Sequence, residues 1–212
     1  MATKISGCGT LSSGKYDEII ASGAIKLEGD IACVSLCASG SLKADKLSCD
    51  GALKIAGAAS FSGDVFAKSI SISGAFKTSG GISCGELTAR GAVKALGNIS
   101  ADEKLDVHGA IKSEEEIASK EICVIFDSDS ELTKVRGEKI EIKPQRRFWL
   151  FKRKCYVLSS VEGGEILLEY VTSPKVSGAR VKIGDGCRID LLEYSESYEI
   201  SPKAKVSKIN LI

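Results

Sequence analysis

Aromatic residues make up only 6% of this 212-residue chain, and its three prolines all lie at or after Pro144. One histidine, His108, is present, and no two cysteines are spaced C-x-x-C. Each shortage excludes something. Few rings beside 22 glycines suit a narrow, regular core better than a broad globular one. A lone histidine without close cysteine pairs does not supply the four ligands of a tetrahedral zinc centre, so neither metal nor cofactor is expected. A formal net charge of +1 gives no overall pull toward polyanions, and any such contact must come from a local patch. No apolar run approaches the roughly 18 residues of a spanning helix. The opening MATKISGCGTLSSGKYDE has no apolar stretch of the kind a secretory leader needs, and none precedes Cys8. The expected compartment is the cytoplasm, where the eight cysteines read as reduced thiols.

What is abundant is repetition. Glycine returns every 17 residues at Gly23, Gly40, Gly57, Gly74 and Gly91, then at Gly109 after one extra residue. The phrase that follows returns with it: GAIK, GSLK, GAAS, GAFK, GAVK, GAIK. A fixed period marks one structural unit copied and stacked, because a unit this short buries its apolar face only against its neighbours. Counted from the glycine, the third position reads Ile25, Leu42, Ala59, Phe76, Val93, Ile111. The ninth reads Ile31, Ser48, Val65, Ile82, Ile99, Ile117, with Leu47 beside the serine. The fourteenth reads Leu36, Leu53, Ile70, Leu87, Leu105 (one residue late), Ile122.

Three apolar columns five or six residues apart imply three short faces per repeat. Within a face the apolar residues alternate, as in Ala-Ile-Lys-Leu at 24 to 27, which is the strand period. A helix would tolerate this much Gly and Ser poorly. The fold expected is all-β: a right-handed parallel β-helix, or solenoid, of triangular cross-section with coils of about 17 residues. Coils stack at about 4.8 Å, so six make a rod roughly 29 Å long. The glycine belongs at a corner that needs a positive φ. Cys33 and Cys84 share a repeat position with Ala67 and Ala101 and read as small buried residues.

The fourth position carries Lys26, Lys43, Lys77, Lys94 and Lys112, with Ser60 the exception. Stacking makes these an outward column, read as a solvated face that Glu28, Asp45, Asp64 and Glu114 partly neutralise. The other reading is a basic ribbon for an anionic partner. Asp102, Glu103, Asp106 and Glu114 to Glu116 read as a solvated edge rather than a site. His108 occupies the extra position between two copies, with no evident partner.

The regular coils extend over 1–143, with the period clearest over 23–126. An inserted loop follows at 144–156. It holds Arg146, Arg147, Phe148, Trp149, Leu150, Phe151, Lys152, Arg153 and Lys154, the only dense cluster of rings and cations in the chain. Such a segment suits an anionic membrane surface, rings among the headgroups and cations on the lipid; it suits equally a cap over the core. One short patch offers few phosphate contacts, so nucleic acid is not expected as a partner. From 157 to 212, LLEY recurs at a spacing of 24 and SPK at 28, which predicts longer coils continuous with the first region.

With these segments in view, the chain resembles the bactofilin family of polymer-forming bacterial cytoskeletal proteins, in its longer Gram-positive form. The GAxK coils, the IEIK strand, the basic-hydrophobic loop and GGEILLEYVTSPKVSGARVKIGDGCRIDLLEYSESYEISPKAKVSKI carry the resemblance. It implies a β-helix that assembles end to end without nucleotide, has no catalytic residues, and scaffolds client proteins. Some members attach to the inner face of the membrane through a short hydrophobic segment, often N-terminal, which the polar opening here lacks and for which the loop at 148–151 is the candidate substitute. Physical reasoning points the same way, since the open edges of a β-helix pair with other chains unless blocked. Unlike ends that do not close give filaments, and like ends pair about a two-fold. Two alternatives stand beside this reading. Capped ends, with Pro202, Lys203, Lys205 and Lys208 blunting one edge, would leave a monomeric membrane-surface module. IGDGCRI resembles one turn of a hexapeptide acyltransferase, for which His108 would be the general base.

Overall fold

The computed structural model describes residues 2–145 and 154–212. Among them every element is a strand. β1 (Ala2–Leu11), β2 (Gly14–Phe61), β3 (Val65–Thr78), β4 (Ile82–Ala95) and β5 (Ile99–Phe126) form the front coils. β6 (Ser130–Pro144), β7 (Cys155–Leu168), β8 (Val171–Ile183), β9 (Arg188–Ile200) and β10 (Lys205–Leu211) form the back coils. All ten lie in one sheet in chain order, and each neighbouring pair is parallel. The molecule is therefore a parallel β-solenoid.

The three sequence columns are the core. All their Ile, Leu, Val and Phe members are buried, and so is Ala59, with Leu47 replacing the exposed Ser48. The register stacks like on like: Leu53, Ile70, Leu87 and Leu105 lie one above another, as do Phe76, Val93 and Ile111. Burying each Ile or Leu contributes about 1.5–3 kcal/mol. Each coil has few inward side chains, so the core forms only by stacking.

The corner glycines have φ from 103° at Gly23 to 141° at Gly109. A second constraint is stricter. At Gly91 an added Cβ would lie 2.1 Å from the carbonyl oxygen of Gly74, one coil below. No side chain fits, which is why each copy restarts with glycine.

Three expectations change. The extra residue before Gly109 is not at His108, which pairs with Arg90; the register slips between Cys84 and Glu86, opposite Ala101 and Lys104. The back coils are not longer. Cys155 pairs with Val171, Ile166 with Val181 and Arg188 with Lys205, offsets of 15 to 17 residues. The LLEY spacing of 24 is one and a half such coils, so its two copies sit on different faces: Leu168 pairs with Ile183, but Leu192 with Val176. The loop is also shorter than 144–156, because Pro144 ends β6 and Cys155 begins β7. The coil that carries it is the long one, with Ile140 paired to Ile166.

A second glycine column, absent from the sequence reading, serves the back coils. Gly137, Gly163 and Gly178 stack in register. A Cβ at Gly163 would stand 2.6 Å from the Gly137 carbonyl oxygen, although these glycines lack positive φ.

Candidate functional site

Strand alternation turns the GAxK phrase into a surface. The third residue points in, and the second and fourth point out. In register, Ala58, Ala75, Ala92 and Ala110 form one outward column and Ser60, Lys77, Lys94 and Lys112 the next. A shallow trough of about 460 Å³ runs across this face. The lysine column was legible in the sequence; the alanine column was equally visible and carried no expectation.

Neutralisation of the lysines is less than expected. Lys26 pairs with Glu28 at 2.6 Å. Asp45 instead accepts hydrogen bonds from the Gly29 N–H at 2.8 Å and the Ser62 hydroxyl at 2.9 Å. These hold its carboxyl below the usual range. Asp64 accepts from the Gly81 N–H at 2.8 Å. Asp45 and Asp64 thus brace the adjacent corner, and Lys43, Lys77, Lys94 and Lys112 have no ion-pair partner among the described residues.

The back coils differ. Lys134 and Arg136 bridge Glu116 and Glu162 across two coil boundaries at 3.3–3.6 Å. Arg180 contacts Glu165 on one side and Glu196 at 2.6 Å on the other. Lys175, Lys182 and Lys203 pair with Glu193, Glu199 and Asp185. The Arg180 hydrogen bond holds Glu165 below the ordinary carboxylate range, and Lys203 with Ser201 does the same for Asp185. At Glu162 partial burial pushes upward, but Ser160, Lys134 and Arg136 together outweigh it and the net shift is down.

His108 is not partnerless. Its Nε2 lies 3.1 Å from Asp106 Oδ1, two residues back on the same strand face. Of the acidic edge, Glu103 pairs with Lys120 at 2.9 Å. No group of three or more His, Cys, Asp or Glu side chains among the described residues is placed to hold a metal. Cys33 and Cys84 are buried as read, and so are Cys49, Cys155 and Cys187, whereas Cys8 and Cys37 are exposed. Burial pushes the Cys84 and Cys155 thiols up to about 12, which leaves them protonated.

Of the proposed membrane-contact residues, Arg146 to Arg153 lie outside the described residues. Lys154 is half-buried at the loop's exit. Its N–H donates to Asp129 at 3.2 Å and its carbonyl accepts from Ser130 N–H at 3.3 Å, while Gln145 N–H donates to Phe126 at the loop's entrance. Just past it, Tyr156 and Leu158 point outward, 41% and 57% exposed. No helix among the described residues is long and apolar enough to cross a membrane.

At the edges of the sheet, β1 and β10 have one neighbour each. On β10 and just after it, Ile209, Leu211 and Ile212 are exposed, the last two by 68% and 64%. At the opposite edge Ile5, Leu11 and Tyr16 are partly covered, and the Tyr16 hydroxyl donates to the Ser12 carbonyl at 2.8 Å.

The class the structure defines is the parallel β-solenoid. Comparison with known proteins adds one similarity: 28% identity over 79 residues, 37% of this chain, to an uncharacterized Bacillus subtilis protein, YhbF. That stretch covers 34% of YhbF, so the chain spans about a third of the length of the curated relative it matches. No family model and no solved structure matches the chain.

Proposed function

We propose that this protein is a non-enzymatic scaffold that assembles through the edge coils of its solenoid without nucleotide and holds client proteins in place. The exposed apolar residues on the β10 edge carry this reading: Ile209 and Leu211 stand in line with Leu192 and Tyr194 of the coil beneath. An edge strand with free backbone groups and an apolar row is a template for another strand. The resemblance to bactofilins supports the same reading. In a pelleting assay without nucleotide, the wild-type chain sediments and Ile209→Asp/Leu211→Asp stays in the supernatant. Equal sedimentation of the two would remove the β10 edge from the account.

The same reading places the scaffold in the cytoplasm, against an anionic membrane surface. Its support is the outward Tyr156 and Leu158 beside the ring-and-cation segment 146–154. Rings at headgroup level with cations on anionic lipid are what such a segment provides. The protein should float with phosphatidylglycerol vesicles, and Trp149→Ala/Phe151→Ala should abolish flotation. Flotation that survives the double substitution would assign membrane contact elsewhere.

A further inference from the structure

We propose that the GAxK face of the front coils is a docking surface for an acidic amphipathic α-helix of a partner protein. The inference goes beyond self-assembly and does not depend on it, because this face lies along the side of the solenoid and the proposed assembly contact lies at its edge.

Three observations carry it. The trough is floored by outward alanines, Ala58, Ala75 and Ala92, whose short side chains let another backbone approach closely. Beside it stand Lys43, Lys77, Lys94 and Lys112, all exposed and all without an ion-pair partner among the described residues. Some cations elsewhere are matched, as at Lys134, Arg136, Arg180 and Lys203, and others such as Lys139, Arg188 and Lys205 have no ion pair among the described residues. The GAxK face differs in setting its unmatched lysines in one row beside a trough. An unmatched basic row beside an apolar strip calls for an occupant with an acidic row beside an apolar strip.

Spacing selects the helix. The column advances one coil at a time, at about 4.8 Å along the axis, with a lysine at every step but Ser60. An α-helix lying along that axis presents acidic side chains three or four residues apart once per turn of about 5.4 Å. The mismatch is about 0.6 Å per rung, roughly 2.4 Å over the four coil steps from Lys43 to Lys112, within the reach of flexible lysine stems. An extended peptide along the same line repeats its side chains on one face at about 6.6 Å and falls out of step by the second rung. The only ring lining the trough, Phe76, is buried beneath it with Leu42 and Val93, so the face exposes no ring or arginine on which a nucleic-acid base would stack and no large apolar residue to enter a bilayer. The four steps span about 19 Å, the length of a helix of about 13 residues.

The test uses the full chain and a labelled helical peptide of about 15 residues, with Glu on one seam beside an Ala/Leu stripe. The expected result is saturable binding that weakens with salt. It should fall at least tenfold in Lys77→Glu/Lys94→Glu, and equally in Ala75→Gln/Ala92→Gln, which fills the trough without changing charge. Unchanged circular dichroism and melting establish that each variant is folded. The same binding is expected in Ile209→Asp/Leu211→Asp, which separates this proposal from the scaffold reading. Absent binding overturns the proposal. Binding lost only in the lysine variant also overturns it, as bare charge attraction. So does tighter binding of a proline-interrupted peptide of the same composition, of an oligothymidylate, or, in the Trp149→Ala/Phe151→Ala background that removes the separate loop contact, of phosphatidylglycerol vesicles.

Discussion

The front and back coils solve the same two problems differently. Both must turn a corner in every coil, and both repeat whatever charge they carry. The front coils turn on glycines at positive φ, and the back coils stack Gly137, Gly163 and Gly178 at ordinary φ. The front leaves a lysine column unmatched; the back threads Lys134, Arg136 and Arg180 between acids of neighbouring coils, although Arg188 and Lys205, paired across strands, have no such acid among the described residues. A solenoid turns any surface residue type into a column of like neighbours. Like charges placed side by side on adjacent strands repel, so such a column is either neutralised in place or left for a partner. The Arg136 and Arg180 sites of the back coils do the first, and the GAxK lysines of the front coils the second.

The corner difference predicts the largest effect. Gly91→Val combines a backbone conformation that L-residues rarely adopt with a side chain driven into the Gly74 carbonyl. It should cost at least about 3 kcal/mol, enough to unfold much of the chain at 37 °C. Gly163→Ala faces only the milder contact and should cost about 1–2 kcal/mol. Urea denaturation measures both, and equal losses would show that the two glycine columns do the same work.

Acid should separate the halves next. Glu162, Glu165 and Asp185 titrate in the folded protein below their ordinary values near 4.5, 4.5 and 3.8. The unfolded chain then binds protons first. Their contribution is complete above those ordinary values and is lost as pH falls through the lower folded ones. Asp45 is held low in the front coils as well, but at the single Gly29 and Ser62 corner. Hydrogen exchange at pH 3 should therefore show β7, β8 and β9 losing protection before β3 and β4. The reverse order would mean that the back-coil ion pairs do not stabilise it.

The smallest effect concerns single surface cations. Arg180→Ala should lower the melting temperature slightly, and the deficit should shrink in salt, since exposed pairs are weak and screened. Lys94→Ala should leave melting unchanged or raise it by relieving the column. A loss at Lys94 as large as at Arg180 would mean that the lysine column is matched after all.

How far the sequence discloses these features depends on spacing. The front core was legible because glycine, Ile25-type and Leu53-type columns recur at one interval, and an in-register parallel sheet preserves it. The Gly137 column was hidden because the insertion falls between its first two members, so no constant interval links them to Gly178. LLEY misled because identical words at one and a half coils mark no structural equivalence. The Asp106–His108 pair follows from simple i, i+2 alternation and was missed by placing the extra residue at His108. Asp45 looked like a neutralising acid but serves the Gly29 and Ser62 corner, a role that only coil stacking creates.

Negative-stain microscopy of the purified full chain, without nucleotide and across a range of salt, tests the scaffold reading most directly. That reading predicts filaments or sheets for the wild type and single short rods for Ile209→Asp/Leu211→Asp. Discrete rods of the wild type at every concentration and salt would contradict it.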